Sequence, residues 1–64
     1  MKHVKQDAPG GPWHDVATGQ PVLGVMRQLA AGDIWEDPDG TKHEIVNRTA
    51  TPEGAIIVVS QTVP

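Results

Sequence analysis

The clearest pattern in the chain is an apolar run near its C-terminal end, from Ala55 to Val63. Four consecutive β-branched residues, Ile56 to Val59, lie inside it. β-Branched side chains fit a pleated, half-buried surface, so the run predicts a β-strand. A continuous run without alternation implies cover on both faces. We therefore expect this strand either to lie centrally in the sheet or to be shielded on one face by the segment from Val22 to Leu29.

A second pattern, in which a tight turn joins two strands, spans residues 33–48. Ile34 to Glu36 is the first predicted strand, and Thr41 to Arg48 is the second. Residues 37–40 place a proline at the second turn position and Gly40 where a positive φ is needed, which predicts a tight turn. Residues 51–54 repeat this order of residue types, which indicates a second turn rather than a duplicated unit.

The segment from residue 21 to residue 32 fits two structures. Four of its apolar residues fall at helical spacing, namely Val22, Val25, Met26 and Leu29. A helix over 21–31 would carry Gly24 in its interior, which costs about 1 kcal/mol relative to alanine. We favour a strand from Val22 to Gln28 that pairs with Ile34 to Glu36, because sequential strands usually pair.

Residues 1–20 hold few apolar side chains and contain Pro-Gly-Gly-Pro at positions 9–12. That sequence fits neither a helix interior nor a central strand. We therefore predict a flexible N-terminal tail over 1–20, followed by a small β domain over 21–64. Trp13 is the one large apolar side chain in the tail. Its ring either packs on the domain or remains free to bind a partner.

Together these patterns predict a mainly β protein, either a small antiparallel sheet or an SH3-like open barrel, of about four strands. The alternative is an α+β fold with one short helix over 21–31 on a three-stranded sheet. A chain of 64 residues forms one domain at most. Its stability is marginal because so short a chain buries only about 60% of its unfolded surface. Trp35 is the expected main core residue, since the chain has no Phe and no Tyr.

Composition and charge reduce the number of function classes that fit this chain. The chain has no cysteine, which removes disulfides and thiolate chemistry together. A net charge of −3 argues against nucleic acid as the main partner, because such binding needs a concentrated basic face. No segment approaches the roughly 18 to 20 apolar residues that span a membrane, and the opening residues, with no apolar run after them, do not predict a secretory signal. The expected location is the cytoplasm of the producing or host cell.

The histidines and carboxylates are the candidates for chemistry. The potential zinc ligands in the first segment are His3, Asp7, His14 and Asp15. A site without cysteine needs three or four converging ligands, and one His-Asp dipeptide is weak evidence for that. The acidic residues around the hairpin, which suggest calcium, are Asp33, Glu36, Asp37, Asp39 and Glu44. Asp and Gly are also what such a turn demands. His43 is expected to be a partly buried strand residue on the side of Ile45, so we predict no catalytic residue, cofactor or metal site.

The favoured hypothesis is a non-catalytic protein-interaction or assembly module, and an accessory protein of a phage or mobile element is one setting that suits it. Its partner would be another protein or a larger assembly, bound through Trp13 and the sheet edges. An edge that carries Ile56 to Val59 would also self-associate, which predicts a homo-oligomer.

Two alternative functions come from other classes. A small nucleic-acid-binding β-barrel would stack bases on an aromatic ring and contact phosphates with cations. The residues for that role are Trp35, Arg27, Lys42 and Arg48. A metal-dependent hydrolase would be centred on His14, Asp15 and His43.

Overall fold

The computed structural model describes all 64 residues of the chain. They form one open sheet of six strands and a single short helix, joined by turns and loops. The strands in chain order are β1 (His3–Gln6), β2 (Trp13–Asp15), β3 (Pro21–Val22), β4 (Ile34–Glu36), β5 (Lys42–Ala50) and β6 (Ile56–Val63), and the helix is α1 (Val25–Gln28). Their order across the sheet is β3-β2-β1-β4-β5-β6. The prediction of a mainly β protein with a small sheet is confirmed. The sheet does not close into a barrel, so the SH3-like alternative gains no support.

The first strand lies in the interior of the sheet. β1 pairs antiparallel with β2 on one side and parallel with β4 on the other. The prediction of a tail over 1–20 is therefore wrong, because two of the six strands lie within these residues. The proline-glycine sequence forms the turn between β1 and β2, in which the Asp7 N–H donates to the Pro12 carbonyl at 2.9 Å. The parallel pair also departs from the all-antiparallel sheet that the sequence predicted.

The central hairpin matches its prediction closely. β4 begins and ends at the predicted residues, and β5 extends two residues beyond the predicted end at Arg48. In the turn, the Gly40 N–H donates to the Asp37 carbonyl at 2.9 Å. Gly40 has a φ of 92°, which a residue with a Cβ rarely adopts.

The apolar C-terminal run forms the predicted strand, but the expected central position in the sheet is wrong. β6 is an edge strand that pairs only with β5. Val58 packs against the core, whereas Ile57 and Val59 are 53% and 51% exposed. One face of this strand is open, and the other packs on the core cluster that contains Val25 and Leu29, which agrees with the alternative that the segment 22–29 shields one face.

The segment 21–32 forms neither predicted element in full. β3 covers two residues, and α1 then makes one turn that ends where Leu29 becomes extended. Gly24 is the residue before the helix and has a left-handed conformation, with φ 62° and ψ 46°. The predicted strand from Val22 to Gln28 is thus wrong beyond Val22. The alternative of a helix over 21–31 is correct only for the four residues of α1. The helix begins after Gly24, whose left-handed conformation changes the direction of the chain there.

The core lies between one face of the sheet and the α1 segment. Four side chains are buried, namely Val4, Val25, Leu29 and Ile45. Four more pack against them and are partly buried, namely Trp13, Val22, Trp35 and Val58. Trp13 therefore docks on the domain. Trp35 lies at the margin of the core and not at its centre, which corrects its expected role.

The strand register divides the remaining side chains between two faces. Val4 lies beside Trp35, and Trp35 lies beside His43, so all three share a face with Ile45. We call this the core face. The opposite, open face carries His3, Lys5, Ile34, Glu36, Lys42, Glu44, Ile57 and Val59. No helix in the structure has the length and apolar character to cross a membrane.

Candidate functional site

The more apolar of the two concave surfaces is a groove between the β2–β3 side of the sheet and α1. It encloses about 520 Å³. Its lining residues are Pro12, Trp13, Pro21, Val22, Leu23, Gly24, Val25, Met26 and Arg27. Leu23 is 83% exposed and Met26 is 39% exposed, so two large apolar side chains face solvent beside the Trp13 ring. Such clustering is unusual on a surface, where single apolar residues are the norm.

The local sequence explains why these side chains point outward. The left-handed Gly24 redirects the chain as it leaves β3, and α1 then turns Val25 and the following Leu29 into the core. Leu23 and Met26, which lie on either side of Gly24 and Val25 in sequence, are left on the outside. The Gln28 side-chain amide donates to the Leu23 carbonyl, which ties the end of the helix to the segment before it. The groove is therefore a direct consequence of the turn at Gly24.

Two arginines lie beside this groove. Arg27 lines it, and the Arg48 Nη2 donates to the Arg27 carbonyl at 2.9 Å. The same two residues line a second, less apolar concavity of about 580 Å³ together with Ala50, Gly54 and Ile56. The four ion pairs of the structure involve histidines and Lys5 but neither arginine. A pair of uncompensated cations thus borders an apolar groove in a chain whose net charge is −3.

Trp35 makes a specific contact on the core face. Its ring stacks on the His43 ring with centroids 4.7 Å apart and an interplanar angle of 18°. The His43 Nε2 lies 2.8 Å from the Asp37 Oδ2, which fixes the orientation of the imidazole. The prediction that His43 is a partly buried strand residue on the side of Ile45 is confirmed. One face of the Trp35 ring is therefore covered by a side chain of the same hairpin.

The open face carries an ion network around Glu36. The Lys5 Nζ lies 2.6 Å from the Glu36 Oε2, and the His3 Nε2 lies 3.0 Å from the Glu36 Oε1. The hydrogen bond from Lys5 is the main reason that the pKa of Glu36 is lowered, with a further contribution from His3. The network joins β1 to β4 across their parallel pairing, so its evident role is to hold these two strands together.

The predicted zinc ligands do not converge. The His14 Nδ1 lies 2.5 Å from the Asp7 Oδ1, whereas His3 is engaged with Glu36. The Asp15 carboxylate accepts hydrogen bonds from the backbone of the following turn, including the Ala17 N–H at 2.8 Å. The strand order places β1 and β4 between the strands that carry His14 and His43. No group of three or more His, Asp or Glu residues in the structure is arranged to hold a metal ion.

The hairpin carboxylates serve the backbone. Asp39 accepts a hydrogen bond from the Thr41 N–H at 2.9 Å, and this contact is the main cause of its lowered pKa. Asp33 accepts from the Lys2 N–H at 2.8 Å and from the Ala30 N–H at 2.9 Å. These bonds satisfy turn and strand-end donors that have no other partner. The acidic cluster that suggested calcium is thus distributed over separate structural contacts.

Among the five residues predicted to bind a partner, the structure brings three together. Trp13 and Arg27 line the groove, and Arg48 contacts Arg27. Trp35 lies near the core instead, and Lys42 lies on the open face.

Sequence analysis missed Leu23 and Met26 as surface residues. Met26 belonged to the helical pattern that predicted burial, and Leu23 fitted the predicted strand. The signal that could have identified them is Gly24, because a left-handed residue at this point interrupts both the strand pattern and the helical pattern on which their burial was predicted.

Comparisons of the chain with protein-family models, with curated proteins and with solved structures found no match.

Proposed function

We propose that this protein is a non-catalytic interaction module whose groove binds a segment of another protein. The segment would present one large apolar side chain followed by a carboxylate. The observation that carries the proposal is the grouping of Leu23, Met26 and Trp13 around one concave surface beside Arg27 and Arg48. A single interaction of this kind suits a chain in which most other charged side chains are engaged in its own fold.

The apolar half of the proposal rests on the exposure of the groove. An aliphatic or aromatic anchor placed there would remove Leu23 and Met26 from water, together with the uncovered part of Trp13. Each square ångström of apolar surface buried this way contributes about 25 cal/mol. Met and Trp are also over-represented at binding surfaces, since a thioether adapts to its ligand and an indole is large and rigid.

The polar half of the proposal rests on charge. The rest of the chain has an acidic balance, yet Arg27 and Arg48 lack carboxylate partners. A guanidinium binds a carboxylate through two parallel hydrogen bonds, which gives orientation as well as attraction. An acidic group next to the apolar anchor would therefore set the direction in which the bound segment runs.

The absence of catalysis in this proposal is supported by the assignments of the polar residues. Glu36, Asp33 and Asp39 each stabilise strands or turns, and His43 orients itself between Trp35 and Asp37. Their pKa values, where they are shifted, are lowered, which suits permanently charged structural acids rather than proton donors at neutral pH. We propose the cytoplasm of the producing or host cell as the place of action, on the sequence grounds given above.

A peptide selection tests the proposal. The immobilised chain is screened against a random peptide library, and the enriched peptides are compared with those enriched by Leu23→Asp. Leu23 is almost fully exposed, so this variant leaves the fold intact. Thr18→Asp is the control, because it adds the same charge at an exposed turn outside the groove.

We expect the native chain and Thr18→Asp to enrich peptides with an apolar residue beside Asp or Glu, and Leu23→Asp to lose them. Arg27→Glu should change the preference to peptides with Lys or Arg beside the anchor. If no motif is enriched, or if the same motif survives Leu23→Asp, the groove is not the binding site and the proposal is wrong.

A further inference from the structure

We infer that two copies of this chain pair edge to edge through β6, antiparallel about a two-fold axis at Val59. β6 spans eight residues and pairs with β5 on one side only. Its other side presents unpaired backbone groups along the whole strand. The free edge is a different surface from the proposed docking groove, whose lining contains no residue of β6, although Arg48 beside that groove lies opposite Val58 of β6.

The two edges of the sheet differ in how they are protected. Edge strands are usually kept from pairing by shortness, charge or proline. β3 is two residues long and begins with a proline, so it offers almost nothing to another strand. β6 contains no charged residue and no proline. With one edge blocked, a head-to-tail chain of copies cannot grow, and the remaining arrangement is a closed pair of β6 edges.

The hydrogen bonds of β5 identify which β6 groups are free. The Ile45 N–H donates to the Asp33 carbonyl at 2.9 Å, and its carbonyl accepts from the Gly32 N–H at 2.8 Å. Ile45 thus turns both groups away from Ser60, which lies opposite it on β6. In an antiparallel ladder the backbone N–H and carbonyl of Ser60 then point to the free edge. The same holds for every second residue along β6. The residues whose backbone N–H and carbonyl groups point to the free edge are Ile56, Val58, Ser60 and Thr62.

These positions select one register. Side chains that lie opposite each other in a continuous sheet share a face, so residues of like parity must pair. A two-fold axis at Val59 pairs Ile56 with Thr62 of the second copy and Val58 with Ser60 of the second copy. In this register the backbone groups of all four of these residues in each chain form hydrogen bonds to the second copy. It also sets Val59 directly opposite its own copy on the open face.

The side chains favour a second copy as the occupant. Each chain carries a net charge of −3, which disfavours most self-contacts, but β6 brings no charge into this one. On the open face, Val59 lies near Ile57 and Val46, and all three are about half exposed. Pairing makes these side chains of both copies one continuous apolar stripe, which covers surface that a monomer leaves in water.

Sedimentation equilibrium tests the state of assembly. The native chain is examined between about 1 μM and about 1 mM, a range that covers weak and moderate dimers. We expect a monomer–dimer equilibrium with no larger species. Val59→Lys should remain monomeric throughout, because it sets two like charges opposite each other at the axis. Val16→Lys is the matched control, since Val16 is 46% exposed in the turn after β2, far from β6 in the strand order, and it should dimerise like the native chain.

Disulfide trapping tests the register independently, and the native chain has no cysteine to interfere. Val59→Cys places its Cα about 4.5 Å from its own copy, within the range of an unstrained disulfide. Ile57→Cys lies opposite Gln61, about 13 Å from its own copy. Under a mild thiol oxidant, Val59→Cys should cross-link at least tenfold faster than Ile57→Cys. The inference is wrong if the native chain stays monomeric, if larger species form, if Val59→Lys still dimerises, or if both cysteines cross-link at similar rates.

Discussion

Val4 lies directly beside Trp35 in a parallel pairing, although the two residues are far apart in the chain. The contact places a strand from the N terminus between the two halves of the sheet. β2 and β3 lie on one side of it, and the β4–β6 meander lies on the other. Val4 is fully buried, so this first strand contributes to the core as well as to the hydrogen-bonded ladder. The fold therefore depends on residues whose composition is typical of a tail.

Truncation of Val4 tests this dependence. Val4→Ala removes two buried methyl groups and should lower the free energy of unfolding by about 2 kcal/mol. In a domain this small that is a large share of the total stability. Urea denaturation followed by tryptophan emission measures the change. Val16→Ala is the control, because Val16 is 46% exposed and should change stability by less than about 0.5 kcal/mol. Equal effects of the two variants would contradict the position of β1.

Asp33 should make stability depend on acid pH. Burial acts to raise the pKa of Asp33, but the hydrogen bonds from the Lys2 and Ala30 N–H groups outweigh it, so the pKa lies below its ordinary value. A carboxylate with a lowered folded-state pKa stabilises the fold above its unfolded-state pKa. That contribution is lost as the pH falls through the folded-state pKa. Asp33→Asn should therefore be less stable than the native chain at neutral pH and lose less stability on acidification.

The measurement for Asp33 is a series of urea titrations from neutral pH to about pH 2. Glu36 and Asp39 also have lowered pKa values, so some acid dependence should persist in Asp33→Asn. Parallel stability curves for the two proteins would contradict the role of Asp33 as the charged acceptor that joins β1 to the start of β4.

Gly24 should tolerate asparagine better than alanine. Its φ of 62° lies in the left-handed region, where a side chain costs about 1–2 kcal/mol and asparagine is the least disfavoured. No atom lies within 4 Å of the position that a Cβ would take, so the penalty is conformational and not steric crowding. Thermal denaturation should rank the native chain first, Gly24→Asn second and Gly24→Ala third. If Gly24→Ala were as stable as the native chain, the left-handed turn that creates the groove would be incorrect.

The open-face ion network should contribute little to stability. Lys5→Ala breaks the contact with Glu36 and should cost no more than about 1 kcal/mol, because partly solvated ion pairs are weak. The difference between Lys5→Ala and the native chain should shrink further in about 1 M salt, where charges are screened. Chemical denaturation by urea at low and high salt measures this. A loss of several kcal/mol would mean that the network holds the fold to an extent that our account does not give it.

The elements that sequence analysis located correctly are those set by neighbouring residues. The turn at 37–40 and the strands beside it follow from local steric rules at Pro38 and Gly40, and these rules act whatever the rest of the chain does. The strand at Ile56–Val63 follows from β-branched side chains, which is also a local preference.

The features that the sequence did not disclose depend on distant residues. β1 contains one buried apolar residue, Val4. Its partner β4 lies about 30 positions away in the chain, so no local sequence pattern predicts that the two strands pair. The position of β6 at the edge depends on what pairs with it, which an apolar run does not specify. The groove depends on the conformation of Gly24, which places α1 and Arg27 beside Trp13, and a local pattern does not disclose that conformation.

The central claim is that the groove recognises an apolar side chain together with a carboxylate. The most direct measurement is a double-mutant cycle between Arg27 and the acidic residue of a peptide obtained by selection, with affinities from isothermal titration calorimetry. The account predicts that Arg27→Ala and the Asp-to-Asn change in the peptide each weaken binding, and that their effects are coupled by about 1 kcal/mol or more. Additive effects, or an Arg27→Ala variant that binds as tightly as the native chain, would contradict it.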